Sequence, residues 1–168
     1  MLHDINTENV PRVLELHRDD DVSILEIGPL AVAIWIGAVT PASFRWQQEG
    51  LGEIVARHPA GIAFLCLIEP STRPPNAEMR QASIDMYRKY AESIRCVAFV
   101  VTGEGFRTGL HRSVLSALAL LNPRTSPSAA FSTADEALKW IDRHVIIRWY
   151  SATLRRIDQE RVLLAPVL

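Results

Sequence analysis

Carboxylates, hydroxyls and glycines gather in two short turns. Glu69-Pro70-Ser71-Thr72-Arg73 follows one apolar run, and Gly103-Glu104-Gly105 follows another. If both runs are parallel strands, each turn lies beyond a carboxyl end, where open α/β sheets place their ligands. Glu69, Gly103, Glu104, Gly105 and Arg107 are then candidates for a small-ligand or anion site. N–H groups at a helix start, with a cation in the first turn, favour negative charge. The spacing Gly103, Gly105, Gly109 departs from the dinucleotide fingerprint, whose third glycine falls one residue earlier. The plainer alternative is a turn that only joins strand to helix. Glu69, Glu104 and His111 could act as acid and base if they met at one substrate. The sequence has no Gly-x-Ser-x-Gly elbow, no Walker loop and no His-Glu-x-x-His. Its five histidines, at 3, 17, 58, 111 and 144, share no metal-ligand spacing. The expectation is a protein that is not an enzyme and needs no cofactor or metal.

Composition narrows the partners. The 168 residues carry 18 Lys+Arg and 19 Asp+Glu, a net charge of -1, so the basic excess of a nucleic-acid binder is missing. With 48% hydrophobic and 22% charged residues, the chain is globular and not disordered. At this length roughly 70% of the unfolded surface is buried on folding, enough without a staple. Cys66 and Cys96 sit in the apolar runs GIAFLCLIE and IRCVAFVV and read as small buried hydrophobes. MLHDINTENVPRV is polar and acidic, unlike a signal peptide. No run reaches the ~18 apolar residues of a membrane span. A cytoplasmic location is expected.

The elements that would position these turns follow from periodicity and caps. Residues 1–21 read as an N-terminal arm, with Val13–His17 available as an extra strand and Asp19-Asp20-Asp21 as a turn. Val22–Ile27 and Leu30–Ile36 are β-branched-rich runs split by Gly28-Pro29, a hairpin. Thr40-Pro41 caps a helix with Phe44, Gln48, Leu51, Ile54 and Val55 inward, stopped at His58-Pro59. Gly61–Ile68 and Arg95–Thr102 are apolar throughout, as strands buried on both faces are. Between them Asn76 caps a helix whose face is Met79, Ser83, Met86, Tyr90 and Ile94. A third helix with Leu110, Val114, Ala117 and Leu121 follows Gly105, ending at Asn122-Pro123. Ala129–Phe131 is a short last strand. Thr133-Ala134-Asp135-Glu136 has the spacing of a capping box before a helix lined by Ala137, Leu138, Ile141 and Val145. The order ββαβαβαβα implies a single mixed, mainly parallel five-stranded sheet with about four helices.

Three segments carry a resemblance. They are AIWIGAVTPASF, with a Trp-x-Gly-x-x-Thr leading into the first helix, FVVTGEGFR, and FSTADEALKWI. Together with the element order, they resemble the STAS domain of the anti-sigma-factor antagonists. They resemble more closely the uncharacterised bacterial STAS/SEC14-like proteins. The resemblance spans about residues 22–145 and rests on packing and capping residues. It implies a STAS-like fold and a regulatory role. STAS antagonists carry a phosphorylatable serine in an Asp-Ser-Ser/Thr-Gly-like turn, and the matching turn here is 69–73. That makes Ser71 and Thr72 candidate phosphorylation sites, although the glycine is absent and three prolines crowd the loop.

Residues 146–168 form a C-terminal extension. Ile146, Trp149, Tyr150, Leu154 and Ile157 recur at helical spacing, with Arg148, Arg155 and Arg156 mostly elsewhere on the wheel. Such a stripe either folds back on its own domain or makes an interface with a partner or a second copy. A membrane-surface helix is disfavoured by Asp158 and Glu160. The expected function is a non-catalytic regulatory or scaffold protein acting through protein–protein contact, as a homodimer through the C-terminal helix. The alternative is a small-molecule or lipid-binding module.

Overall fold

The computed structural model describes residues 11–103 and 126–165. Its sheet holds six strands in the order β1-β2-β3-β4-β5-β6. They are β1 (Val13–Arg18), β2 (Val22–Ile27), β3 (Leu30–Trp35), β4 (Ile62–Ile68), β5 (Ile94–Val101) and β6 (Ser128–Phe131). The first three run antiparallel as a meander; β3, β4, β5 and β6 run parallel. One strand more is present than the five expected, because Val13–Arg18 joins the sheet at its edge. The register shifts at Glu15/His17 there. Bulges and charged residues such as Glu15 and Arg18 are the usual means of blunting an open edge.

Helices α1 (Pro41–Arg57) and α2 (Ala77–Lys89) cover one face; α3 (Ala134–Ile141) and α4 (Tyr150–Leu164) cover the other. Successive strand residues alternate between the two layers. Phe64, Cys66 and Ile68 pack with Phe44, Leu51 and Met86. Ala63, Leu65 and Leu67 pack with Leu138, Ile141 and Ile157. This two-sided burial is why β4 and β5 read as unbroken apolar runs. Cys66 and Cys96 fall on opposite faces as free, buried thiols. They therefore cannot bridge.

Two helix faces differ from expectation. On α1 the buried positions are Ser43, Phe44, Gln47, Gly50, Leu51 and Ile54, while Gln48 points to solvent. The Trp35 indole N–H donates to Gln47 Oε1 at 2.8 Å, which draws that side chain inward. On α2 the buried residues are Met79, Met86 and Tyr87, and Ile94 opens β5 instead of ending the helix face. The capping boxes also differ. Thr40 and Ser43 cap each other reciprocally at α1. At α3 Thr133 accepts from the Glu136 N–H at 3.2 Å, with no return bond from the Glu136 side chain.

Candidate functional site

The rim at the carboxyl ends of β3, β4 and β5 is built by two neighbouring loops. The Ile36 and Gly37 N–H groups donate to the Asp21 carbonyl, and the Ala38 N–H donates to Asp21 Oδ1 at 2.8 Å. A Cβ on Gly37 would lie 2.9 Å from the Asp20 carbonyl oxygen and from Asp21 Cα, backbone atoms that cannot swing aside, so glycine is required for this approach. The Arg73 N–H donates to the Gly37 carbonyl, joining the second loop to the first. The Trp-x-Gly-x-x-Thr motif is thus a set of close contacts shaping the rim.

Glu69 stands at the end of β4 as expected, but its carboxylate is engaged. Oε2 accepts from the Thr102 hydroxyl at 2.9 Å, and both oxygens accept from the guanidinium of Arg161 on α4. Gly103 follows at φ +90°, where a Cβ would meet Pro70 Cγ at 2.7 Å. Glycine is therefore required on both backbone and steric grounds. Glu104, Gly105 and Arg107, along with His111 and the expected third helix, lie outside the described residues. The rim thus brings Glu69 and Gly103 together, with a cation the sequence reading did not include. Arg161 stands 92 residues from Glu69, and no local spacing signals it.

The two hydroxyls of the 69–73 turn fare differently. Ser71 is exposed. Thr72 is 3% exposed, and its hydroxyl donates to the Trp35 carbonyl at 2.7 Å. Its N–H donates to the Glu69 carbonyl. In this conformation Thr72 is a structural latch between β3 and the turn, and its oxygen offers a phosphoryl group no access.

The tail residues also divide. Ile157 is fully buried in the chain's own second core layer, with Tyr150 and Leu154 packed against that layer. The Tyr150 hydroxyl donates its one proton to Asp135 Oδ1 at 2.5 Å, with the Asp135 carbonyl 2.9 Å from the same oxygen. Burial, then the Asp135 carboxylate, pushes that phenol up to about 12. Trp149 is half-buried as the N-cap of α4, close to Gly28. Ile146 is 75% exposed, ahead of the helix. The stripe is therefore largely consumed within the chain, and the helix begins at Tyr150 and not Ile146.

The buried face of α4 is Thr153, Ile157, Glu160 and Leu164. Two of these four are polar, which hid the true period. Glu160 is 0% exposed; it accepts from Ser23 at 2.7 Å, from Arg18 through two bonds and from Arg156 at 2.8 Å. These contacts lay α4 along the sheet, from Trp149 beside the β2–β3 turn to Arg161 at the rim. Fifteen helical residues span about 22 Å, matching a six-residue strand of about 20 Å. The large apolar side chains left on the outer surface of α4 are Val162 and Leu163, 74% and 63% exposed.

No helix of the described residues is long and apolar enough to cross a membrane. No family model matches the sequence. No curated protein matches it. Among solved structures, the chain is similar to an uncharacterized protein from the DUF3478 family with a SpoIIAA-like fold, from Shewanella loihica PV-4. The identity is 17%, the TM-score 0.43, and the likeness covers 80% of this chain and 97% of that one.

Proposed function

We propose that the protein is a non-catalytic regulatory or scaffold module that works by protein–protein contact, and that its contact surface is the outer face of α4. The observation that carries this reading is the exposure of Val162 and Leu163, adjacent on a helix whose other face is anchored to the sheet. Exposed aliphatic side chains fixed on a rigid helix lose little entropy on docking. Arg155, Asp158 and Gln159 share this outer surface, so it carries both charge signs. Two copies laid antiparallel oppose cation to carboxylate about a two-fold axis, which favours a second copy as the occupant. The non-catalytic part is supported by how the candidate acid is used: Glu69 is held by Arg161 and Thr102.

Size-exclusion chromatography with light scattering tests the reading. The full chain is expected at twice its 18.8 kDa mass, and Val162→Asp with Leu163→Asp at the single-chain mass. A wild-type protein that stays at the single-chain mass at about 100 µM, a concentration well above the Kd of an ordinary stable dimer, contradicts it.

A further inference from the structure

A second feature lies at the opposite end of the sheet from the rim. A cavity of about 260 Å³ opens between the β2–β3 turn and the segment that leads into α4. Buried Leu30, Ala63 and Thr153 lie behind its floor, half-buried Pro29, Val145, Ile147 and Trp149 form its accessible apolar wall, and Arg148 is the charged member of that wall. The wall is held in place: Asp142 Oδ1 accepts from the Ile147 N–H at 2.7 Å, and the Val145 N–H donates to the Ile141 carbonyl. Apolar lining with a few fixed polar groups is the composition of a small-molecule site. Arg148 is exposed at its edge and makes no ion pair among the described residues.

We infer that this cavity binds a small amphipathic carboxylic acid, its apolar body against Pro29, Val145, Ile147 and Trp149 and its carboxylate on Arg148. The volume equals about nine waters' share of liquid, so it suits a body of about eight to ten non-hydrogen atoms. That is smaller than a drug-sized ligand or a two-chain lipid. A guanidinium recognises a carboxylate through paired charge-assisted hydrogen bonds, which selects the acid over a neutral analogue of the same length.

Calorimetric titration of the full chain with octanoate, octanamide and acetate tests this inference. Octanoate is expected to bind with one-to-one stoichiometry, octanamide about fivefold more weakly and acetate not at all. Arg148→Gln is expected to bring octanoate down to the octanamide level. Val145→Trp, which fills the cavity from a half-buried position, is expected to abolish binding of both. If Val145→Trp fails to fold, the octanoate–octanamide ratio and Arg148→Gln decide the question alone. Absence of octanoate binding at low millimolar concentration, equal affinity for octanamide, or unchanged octanoate binding in Arg148→Gln overturns the inference.

Discussion

Arg18 on β1 and Glu160 on α4 form a two-pronged ion pair, Nε to Oε1 and Nη2 to Oε2, each at 2.7 Å. The partners are 142 residues apart and tie the first strand to the last helix. Ser23 on β2 shares Glu160 Oε1, so one carboxylate locates α4 over two strands. On the other face of β2, Glu26 does the same for α1, meeting Arg57 and His58 at 2.8 Å each. Each helical layer thus has a buried carboxylate that fixes its register on the sheet.

Glu160 makes the stability pH-dependent. Burial alone raises its carboxyl, but the bonds from Arg18, Ser23 and Arg156 outweigh burial and hold it below its ordinary 4.5. A carboxyl depressed in the folded state stabilises above its unfolded pKa, and that contribution disappears as pH falls through the folded value. Denaturant titrations are expected to show stability falling once pH drops below 4.5. Glu160→Gln is expected to flatten this limb and cost about 2–4 kcal/mol at pH 7, since it leaves buried partners unsatisfied. A wild-type acid limb in that variant contradicts the assignment.

The 69–73 turn separates its two hydroxyls. Thr72→Val keeps the shape but removes one of the two donors to the Trp35 carbonyl, which retains the Glu69 N–H, with an expected cost of about 0.5–1.5 kcal/mol. Ser71→Ala, at an exposed site, is expected to change stability by less than about 0.5 kcal/mol. Under a broad-specificity kinase, modification is expected at Ser71 and not at Thr72 while the protein stays folded. Mass spectrometry of the peptide reads the outcome, and phosphate on Thr72 in native protein contradicts the latch.

Both thiols are expected to be silent in the native state. Burial pushes Cys66 and Cys96 up to about 12, so at neutral pH neither is a thiolate, and both side chains are buried. A chromogenic disulfide reagent is expected to release no signal from folded protein and two equivalents per chain in denaturant. One fast native equivalent contradicts this burial.

Legibility followed burial chemistry. The apolar runs 61–68 and 95–102 could be read as interior parallel strands because both faces are covered, and β4 and β5 lie at those positions. Caps with a single side-chain donor or acceptor, Thr40, Asn76 and Thr133, were legible in the same way. What stayed hidden depends on long-range pairing. Gln47 faces inward because of an indole 12 residues away. The reciprocal box at Thr40–Ser43 uses Ser where Glu or Gln is the usual signal. In the tail, apolar spacing selected Ile146 and Trp149, whereas Thr153 and Glu160 form the buried stripe through bonds that no period can show. Glu69 was legible as a rim carboxylate, but its neutralisation by Arg161 was not.

Helix α4 is part of the fold and not an appendage. Ile157 and Leu164 share a core layer with Leu25, Ile27, Leu30, Val32 and Ile34, all at most 4% exposed among those five. Each such aliphatic side chain contributes about 1.5–3 kcal/mol by burial, so uncovering even part of the group removes most of a domain's ordinary net stability. The most direct measurement is thermal unfolding, followed by circular dichroism and dye binding, of a chain ending at residue 146. Loss of the cooperative transition and strong dye binding are expected. A soluble monomer that unfolds cooperatively near the full-length midpoint contradicts this role of α4.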